Sequence, residues 1–320
     1  MNVLITGSAG FIGEILTSQC RNAGCTVLGM DIVGPASARP DSAFEICDIR
    51  NTPRVCELLA TFRPDRIFDL AAQSYPTVSL IQPKETIDIN VTGTVNLFEC
   101  IRSARIMPTV VVACSSAEYG PVASEDLPVR ETHPLRPLHP YGVSKVGQDL
   151  LAAQYFANYA IPAIRIRIFN TTGPGKLGDV CSDLTKRAVE IEMGMRAPFL
   201  RVGNLTTRRA LVDAQDLVRG LWLSADCCEP GEVYNLGGDQ IYAVQEIIEA
   251  IRPHLEKQFS IQQDPDLMRA CDEPVIAGDI TKFCSCTGWR PQIKLATTIR
   301  EMLAWWRVRL AVTTSVETSA

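Results

Sequence analysis

Histidine is scarce: the 320 residues hold only three, His133, His139 and His254, too scattered to suggest a metal site. A long uninterrupted apolar run is missing, and so is a basic leader ahead of the first apolar stretch. Neither a membrane span nor a secretory signal is therefore expected, and the expected location is cytoplasmic. Positive charge is not in excess either. With 31 Lys and Arg against 36 Asp and Glu, the net charge is −5, which gives no general field for nucleic acid or an anionic membrane. The 12 cysteines include no CxxC, and Cys227-Cys228 and Cys284-Ser285-Cys286 have no histidine at ligand spacing. They are expected to be reduced, mostly buried small apolar residues.

What remains is an ordinary globular composition, 46% apolar and 21% charged, long enough for one large core and a smaller appended lobe. Val3 to Thr6 reads as a buried parallel strand and runs into Gly7-Ser8-Ala9-Gly10-Phe11-Ile12-Gly13, after which Glu14 to Asn22 is helical in character. Glycines at this spacing between a strand and a helix let the backbone turn and approach a pyrophosphate, and helix N-terminal amides suit the anion. A second strand, Thr26 to Met30, ends in Asp31, 18 residues after Gly13. A carboxylate there holds both ribose hydroxyls and repels a 2′-phosphate, favouring NAD(H) over NADP(H), although Arg39 in the next loop could fold back. After the short strand Phe44 to Cys47, Asp48-Ile49 is a candidate adenine contact, with Asp48 equally readable as a helix cap before Pro53.

Arg66 to Leu70 is a fourth strand, and it opens into Ala71-Ala72-Gln73-Ser74, small residues against which a cofactor could lie. One long helix is predicted from about Pro83 to Arg102, with Ile87, Val91, Val95 and Phe98 on an apolar stripe. The fifth strand, Thr109 to Cys114, carries Ser115 and Ser116 at its C-terminal end, the edge where open parallel sheets bind ligands. The next helix contains Tyr141-Gly142-Val143-Ser144-Lys145 and continues to about Asn158. Its i, i+4 spacing puts phenol and ammonium on one face, where the cation should lower the phenol pKa. A sixth strand, Ala163 to Phe169, completes the alternation of a doubly wound α/β sheet. Beyond it the pattern loosens, with helices at about Ser182 to Met193 and Ala214 to Ser224 and short strands such as Phe199 to Val202 and Glu232 to Leu236. The expected division is a dinucleotide-binding domain over 1–172, to which 206–240 returns, and a smaller, discontinuous α/β substrate-binding lobe over 173–205 and 241–310. Residues 311–320 read as a disordered tail.

Taken together, GSAGFIG, Asp31, a serine ending the fifth strand and YGVSK resemble an extended short-chain dehydrogenase/reductase of Rossmann type over nearly the whole length. Within it, Leu135-Arg136-Pro137, Asn170 with Thr172-Gly173-Pro174-Gly175, and Arg201-Val202-Gly203-Asn204-Leu205 are most similar to the GDP-4-keto-6-deoxymannose reductase branch. The resemblance implies that Ser115 hydrogen-bonds the C4 oxygen of the sugar, that Tyr141 passes the proton, and that Lys145 holds the nicotinamide ribose and depresses the Tyr141 pKa. Cofactor contacts would come from Gly7, Gly10, Phe11, Ile12, Gly13, Asp31, Asp48, Ile49, Leu70, Ala71 and Ala72. Substrate contacts would come from Ser116, Asn170, Arg201 and Asn204, with Arg209 and Arg269 on the diphosphate.

Dehydratases of this superfamily carry Thr-Asp-Glu where this chain has Ser115-Ser116-Ala117, so the acid and base of an elimination are missing. Glu118 stands one place late and should point elsewhere. The related reductases often keep a glutamate where Ala117 sits, and Ala210-Leu211-Val212-Asp213 replaces a more aromatic, more charged run. The leading expectation is NAD(P)H-dependent reduction of a GDP-4-keto-6-deoxyhexose to a rhamno or talo product. A nucleotide-sugar 4-epimerase with tightly bound NAD, a 4,6-dehydratase and a non-catalytic NAD-binding module are the alternatives. By the same resemblance, the Ile87 stripe and the helix after Tyr141 are the pairing helices of a homodimer.

Overall fold

Val3-Leu4-Ile5 is an apolar run with no polar alternation, and such a strand is stable only when both faces are covered. In the computed structural model, which describes residues 1–35, 43–267 and 275–317 with side chains as far as 312, these three are at most 1% exposed. Arg39 and Arg269 lie outside the described residues. The chain divides into two units: Met1–Ile168 with Val218–Leu236 and Gly278–Arg290, and Phe169–Leu217 with Gly237–Ala277 and Pro291–Ala320.

The first unit is built on a seven-stranded parallel sheet. Its members are β1 (Asn2–Thr6), β2 (Thr26–Asp31), β3 (Ala43–Ile46), β4 (Arg66–Asp69), β5 (Thr109–Ser115), β6 (Ala163–Ile168) and the strand Val233–Leu236. In space the order is Val233–Leu236, β6, β5, β4, β1, β2, β3. The chain works outward from β1 in one direction and from β4 in the other, so the order reverses between them and leaves a crevice at their carboxyl ends, a doubly wound arrangement. Helices α1 (Phe11–Asn22), α2 (Thr52–Phe62), α3 (Pro76–Ile81), α4 (Pro83–Ile87), α5 (Gly93–Ser103) and α6 (Pro140–Tyr159) belong to this unit. One core cluster includes Leu4, Leu59, Ile67, Leu97, Phe98 and Val110. Each such side chain stabilises the fold by about 1.5–3 kcal/mol relative to exposure.

Two glycines are sterically required at the first crossover. Gly7 has φ +67°, and a Cβ there would lie 2.8 Å from the Leu70 carbonyl carbon; at Gly13 it would lie 2.1 Å from the Gly7 oxygen. The single helix expected from Pro83 to Arg102 is instead α4 and α5 joined by a π turn, Asp88–Thr92. The apolar spacing survives the insertion of one residue, so periodicity alone could not show it. Cys56 on α2 and Cys100 on α5 form a disulfide, correcting the expectation that all cysteines are reduced; the helices bring their Cα atoms to 4.6 Å.

The second unit packs helices Val180–Glu192, Val244–Ile251 and Leu295–Glu317 over a core that includes Leu184, Leu200, Ile247, Leu303 and Trp306. Its boundaries differ from those expected. Thr171–Thr172 pairs with Val212–Asp213, and Arg208–Ala210 pairs with Ile241–Ala243, so both segments stay in the lobe. Gly278–Arg290 returns to the first unit, where Val129 bridges Gly278 and Phe283 packs edge-on against Tyr234. The presumed tail is helical through Glu317, continuing the helix whose Leu310 is buried.

Candidate active site

Thr6 ends β1 beneath the glycine loop. Its Oγ1 donates to Asp69 Oδ1 at 2.7 Å and accepts from the amides of Leu70 and Ala71 at 3.1 and 3.0 Å. The ends of β1 and β4 are thereby tied side by side, with α1 starting at Phe11 behind Gly10 and running through Ile12 and Gly13. Asp31, last in β2, accepts from Ala9 N–H at 2.9 Å through one oxygen and from Ile32 N–H at 2.7 Å through the other. The carboxylate is thus aimed at the glycine loop, and each oxygen retains lone-pair capacity for a hydroxyl. Ala72 follows Ala71 on the same exit from β4.

Asp48 and Ile49 both have local partners. Asp48 accepts from Arg50 N–H at 2.8 Å and forms an ion pair with its guanidinium at 2.7 Å, which holds the carboxyl below its ordinary range. Asn51, and not Asp48, caps α2, accepting from Arg54 N–H. Ile49 is 4% exposed and sits in the core.

Ser115, Tyr141 and Lys145 come together at the end of β5. His139 caps α6, its side chain accepting from Gly142 N–H at 3.0 Å, and the first turn then brings the Tyr141 phenol close enough to Ser115 for the serine to act on its pKa. Ser115 Oγ also accepts from Ala117 N–H at 3.2 Å, and Ser116 opens the short 3-10 turn that follows. Lys145 donates to the Ala113 carbonyl at 2.8 Å, and its Nζ is 5.9 Å from the Tyr141 ring centroid. The expectation that Lys145 lowers the phenol pKa is overturned for the protein by itself. Burial pushes Tyr141 up to about 12, with Ser115 pulling the other way, and burial pushes Lys145 down.

Asn90 escaped the sequence reading. It is fully buried in the π turn, accepts from Gln73 N–H at 2.8 Å, and donates to the Gln73 carbonyl at 3.1 Å and to Ser144 Oγ at 2.8 Å. Ser144 in turn donates to the Tyr141 carbonyl at 2.7 Å, so one amide links the exit of β4 to the first turn of α6. An asparagine inside a helical stripe was the only available signal, and without the π turn it reads as a surface residue.

In the second unit, Asn170 Nδ2 is buried without a hydrogen-bond partner. Arg201 forms an ion pair with Asp264, and Asn204 Oδ1 accepts from the amide and hydroxyl of Thr206 at 3.0 and 2.8 Å. Arg209 lies on Arg208–Ala210 and donates to the Arg208 carbonyl at 2.9 Å.

Known proteins are similar to this chain in sequence and fold. A GDP-6-deoxy-D-mannose reductase of Pseudomonas aeruginosa is 29% identical over 248 residues, covering 77% of this chain and 82% of its own. The solved structure of RMD from Pseudomonas aeruginosa complexed with NADPH has a TM-score of 0.86 at 27% identity, covering 96% of this chain and 99% of that one. A Thermus thermophilus UDP-glucose 4-epimerase in complex with NAD has a TM-score of 0.84 at 26% identity, with 96% and 99% covered. The fold these structures share with this chain is the Rossmann-type α/β fold. Residues 4–302 match the family described as GDP-mannose 4,6 dehydratase, and the chain belongs to that family.

Proposed function

We propose that the protein reduces the 4-keto group of a GDP-4-keto-6-deoxyhexose with NAD(P)H, giving a GDP-rhamnose-type or GDP-6-deoxytalose product. The observation that carries this reading is the convergence of Ser115, Tyr141 and Lys145 at the end of β5, beside a turn with no carboxylate at Ser116 or Ala117. A 4,6-elimination needs an acid and a base at those places, each typically worth ~10²- to 10⁴-fold. Glu118 does not substitute for them, since its carboxyl is buried against the Ser115 amide. Carbonyl reduction asks only for a proton donor and an oxygen-orienting group, which Tyr141 and Ser115 supply.

A nicotinamide cofactor, when bound, supplies the hydride. The glycine loop and Asp31 fit it: Gly7, Gly10 and Gly13 carry no side chain that would stand between the loop backbone and a pyrophosphate, and the Asp31 carboxylate matches two ribose hydroxyls, which favours NAD(H). NADP(H) is the other candidate, since the Pseudomonas aeruginosa RMD structure holds NADPH. Tyr141 would give its proton to the C4 oxygen while Ser115 holds that oxygen, and Lys145 would hold the ribose and place its charge near the phenol once the ligand is in place. The unpaired Asn170 Nδ2 supports a nucleotide contact, and Arg209 and Arg269 supply guanidinium groups for the diphosphate.

Purified protein given GDP-4-keto-6-deoxymannose should consume NADH or NADPH, and a flat trace with both cofactors overturns the substrate assignment. Likeness to the NAD-bound epimerase keeps a 4-epimerase as the second reading. Cofactor that survives purification, with turnover in the absence of added NADH, would decide for it. Among the described residues no helix is long and apolar enough to cross a membrane. The half-buried Ile87, Val91 and Val95 support a homodimer, to be checked by sedimentation.

A further inference from the structure

Beneath Ser115 lies a set of charged side chains that the reaction above does not use. Glu118 is fully buried, and its Oε1 accepts the Ser115 N–H at 2.7 Å. Arg167 on β6, paired with Cys114 across the sheet, donates from Nε to Asp149 Oδ2 at 2.9 Å and stands 3.2 Å from Glu118 Oε2, an ion-pair contact without a hydrogen bond. Asp149 is on α6, one helical turn after Lys145 and two after Tyr141, and it also holds Arg165 at 2.7 Å. Arg167 is braced in its turn by the Tyr119 hydroxyl and the Glu131 carbonyl, each at 3.0 Å. A continuous chain of contacts thus runs from the Ser115 amide through Glu118, Arg167 and Asp149 into the helix that bears Tyr141.

Cys114, Glu118 and Asp149 offer donor atoms within 4.8 Å of one another, but the guanidinium of Arg167 already stands against both carboxyls in the place a metal cation would take. Stability does not explain the cluster either, because buried ion pairs are commonly matched or bettered by apolar residues of similar volume. What such a network does provide is fixed geometry.

We propose that Glu118 is a positioning residue for the Ser115–Tyr141 pair: by reaching the Ser115 amide on one side and Arg167 on the other, it locks the turn carrying Ser115 to the helix carrying Tyr141 and Lys145. This rests on the reductase reading, in which Ser115 and Tyr141 share the C4 oxygen. Reach matters here more than charge. Burial and the neighbouring Asp149 push the Glu118 carboxyl upward, and the oxygen of a neutral amide of the same length can still accept the Ser115 N–H.

Glu118→Asp keeps the acid but withdraws it from the Ser115 amide, whereas Glu118→Gln keeps the reach. Glu118→Asp should lower kcat by about ten- to a hundredfold, since small misplacements near reacting atoms cost that much. KM for the keto sugar and cofactor affinity should stay within about twofold, and Glu118→Gln should keep kcat within about threefold of wild type. In a Ser115→Ala background Glu118→Asp should cost nothing further, because the two act through one contact. Three outcomes overturn the proposal: wild-type kcat in Glu118→Asp, the same loss on the Ser115→Ala background, or a larger loss in Glu118→Gln than in Glu118→Asp. A wild type that leaves the keto sugar untouched overturns the reductase reading instead. Hydrogen exchange over residues 114–119 then decides the role of Glu118: faster exchange in Glu118→Asp alone supports it, and equal rates in wild type and both variants end it.

Discussion

Tyr141 carries its proton more firmly than an exposed phenol. Burial raises it to about 12, so in the protein alone it is a proton donor throughout the neutral range. Tyr141→Phe should lower kcat by about 10²- to 10⁴-fold while calorimetric cofactor binding is unchanged; retained activity would remove Tyr141 from the chemistry. At His139 the imidazole is held below its ordinary 6.5 by burial, and its ring nitrogen must be unprotonated to accept the Gly142 amide. The unfolded chain binds that proton more readily. Stability from this cap is therefore fully present above 6.5 and lost as pH falls below it. His139→Asn caps without titrating, so its denaturant midpoint should vary less across that range than that of wild type. An identical pH slope in the variant would remove this account. The pairing of Tyr141 with Lys145 was legible from spacing alone, whereas the direction of the Tyr141 shift was not, because burial is a property of the whole surroundings.

Strands of the parallel sheet announce themselves because the interiors of β1 and β5, Val3 to Ile5 and Val110 to Cys114, are apolar without alternation, which only a doubly covered sheet tolerates. The helix that faces α6 was harder. Its π turn shifts hydrogen bonds without erasing the apolar stripe, and it turns Asn90 inward to meet Gln73 and Ser144. Asn90→Ala leaves those buried groups unpaired and should destabilise the protein by about 1–3 kcal/mol in denaturant unfolding, with kcat falling as α6 loosens. A variant as stable as wild type would show that water replaces the amide. Asp48 teaches a related lesson: its position matched a ligand contact or a cap, and Asn51 took the cap while a nearby arginine pairs with the carboxylate.

Over the whole molecule, the dinucleotide-binding half was readable from alternating elements, but the course of the chain between the two units was not. Gly278–Arg290 returns to the first unit through contacts such as Asn235 Nδ2 with the Asp279 carbonyl, a partner 44 positions away in sequence. The Cys56–Cys100 link also depends on two helices meeting. Denatured protein that has not been reduced should show two fewer reactive thiols than the reduced form. Reduction should lower stability by about 2–4 kcal/mol, and full thiol reactivity without reductant would mean the pair is not joined.

The residues themselves determined the glycine turn, the acid after β2, the serine at the end of β5 and the Tyr141–Lys145 spacing, because each rests on local geometry repeated at fixed intervals along the chain. Tertiary structure alone decided where Glu118 points, that Arg167 and Asp149 meet it, and that Tyr141 is raised. Those outcomes depend on side chains from β5, β6 and α6 converging in a space that excludes water, and no spacing in the sequence records that convergence.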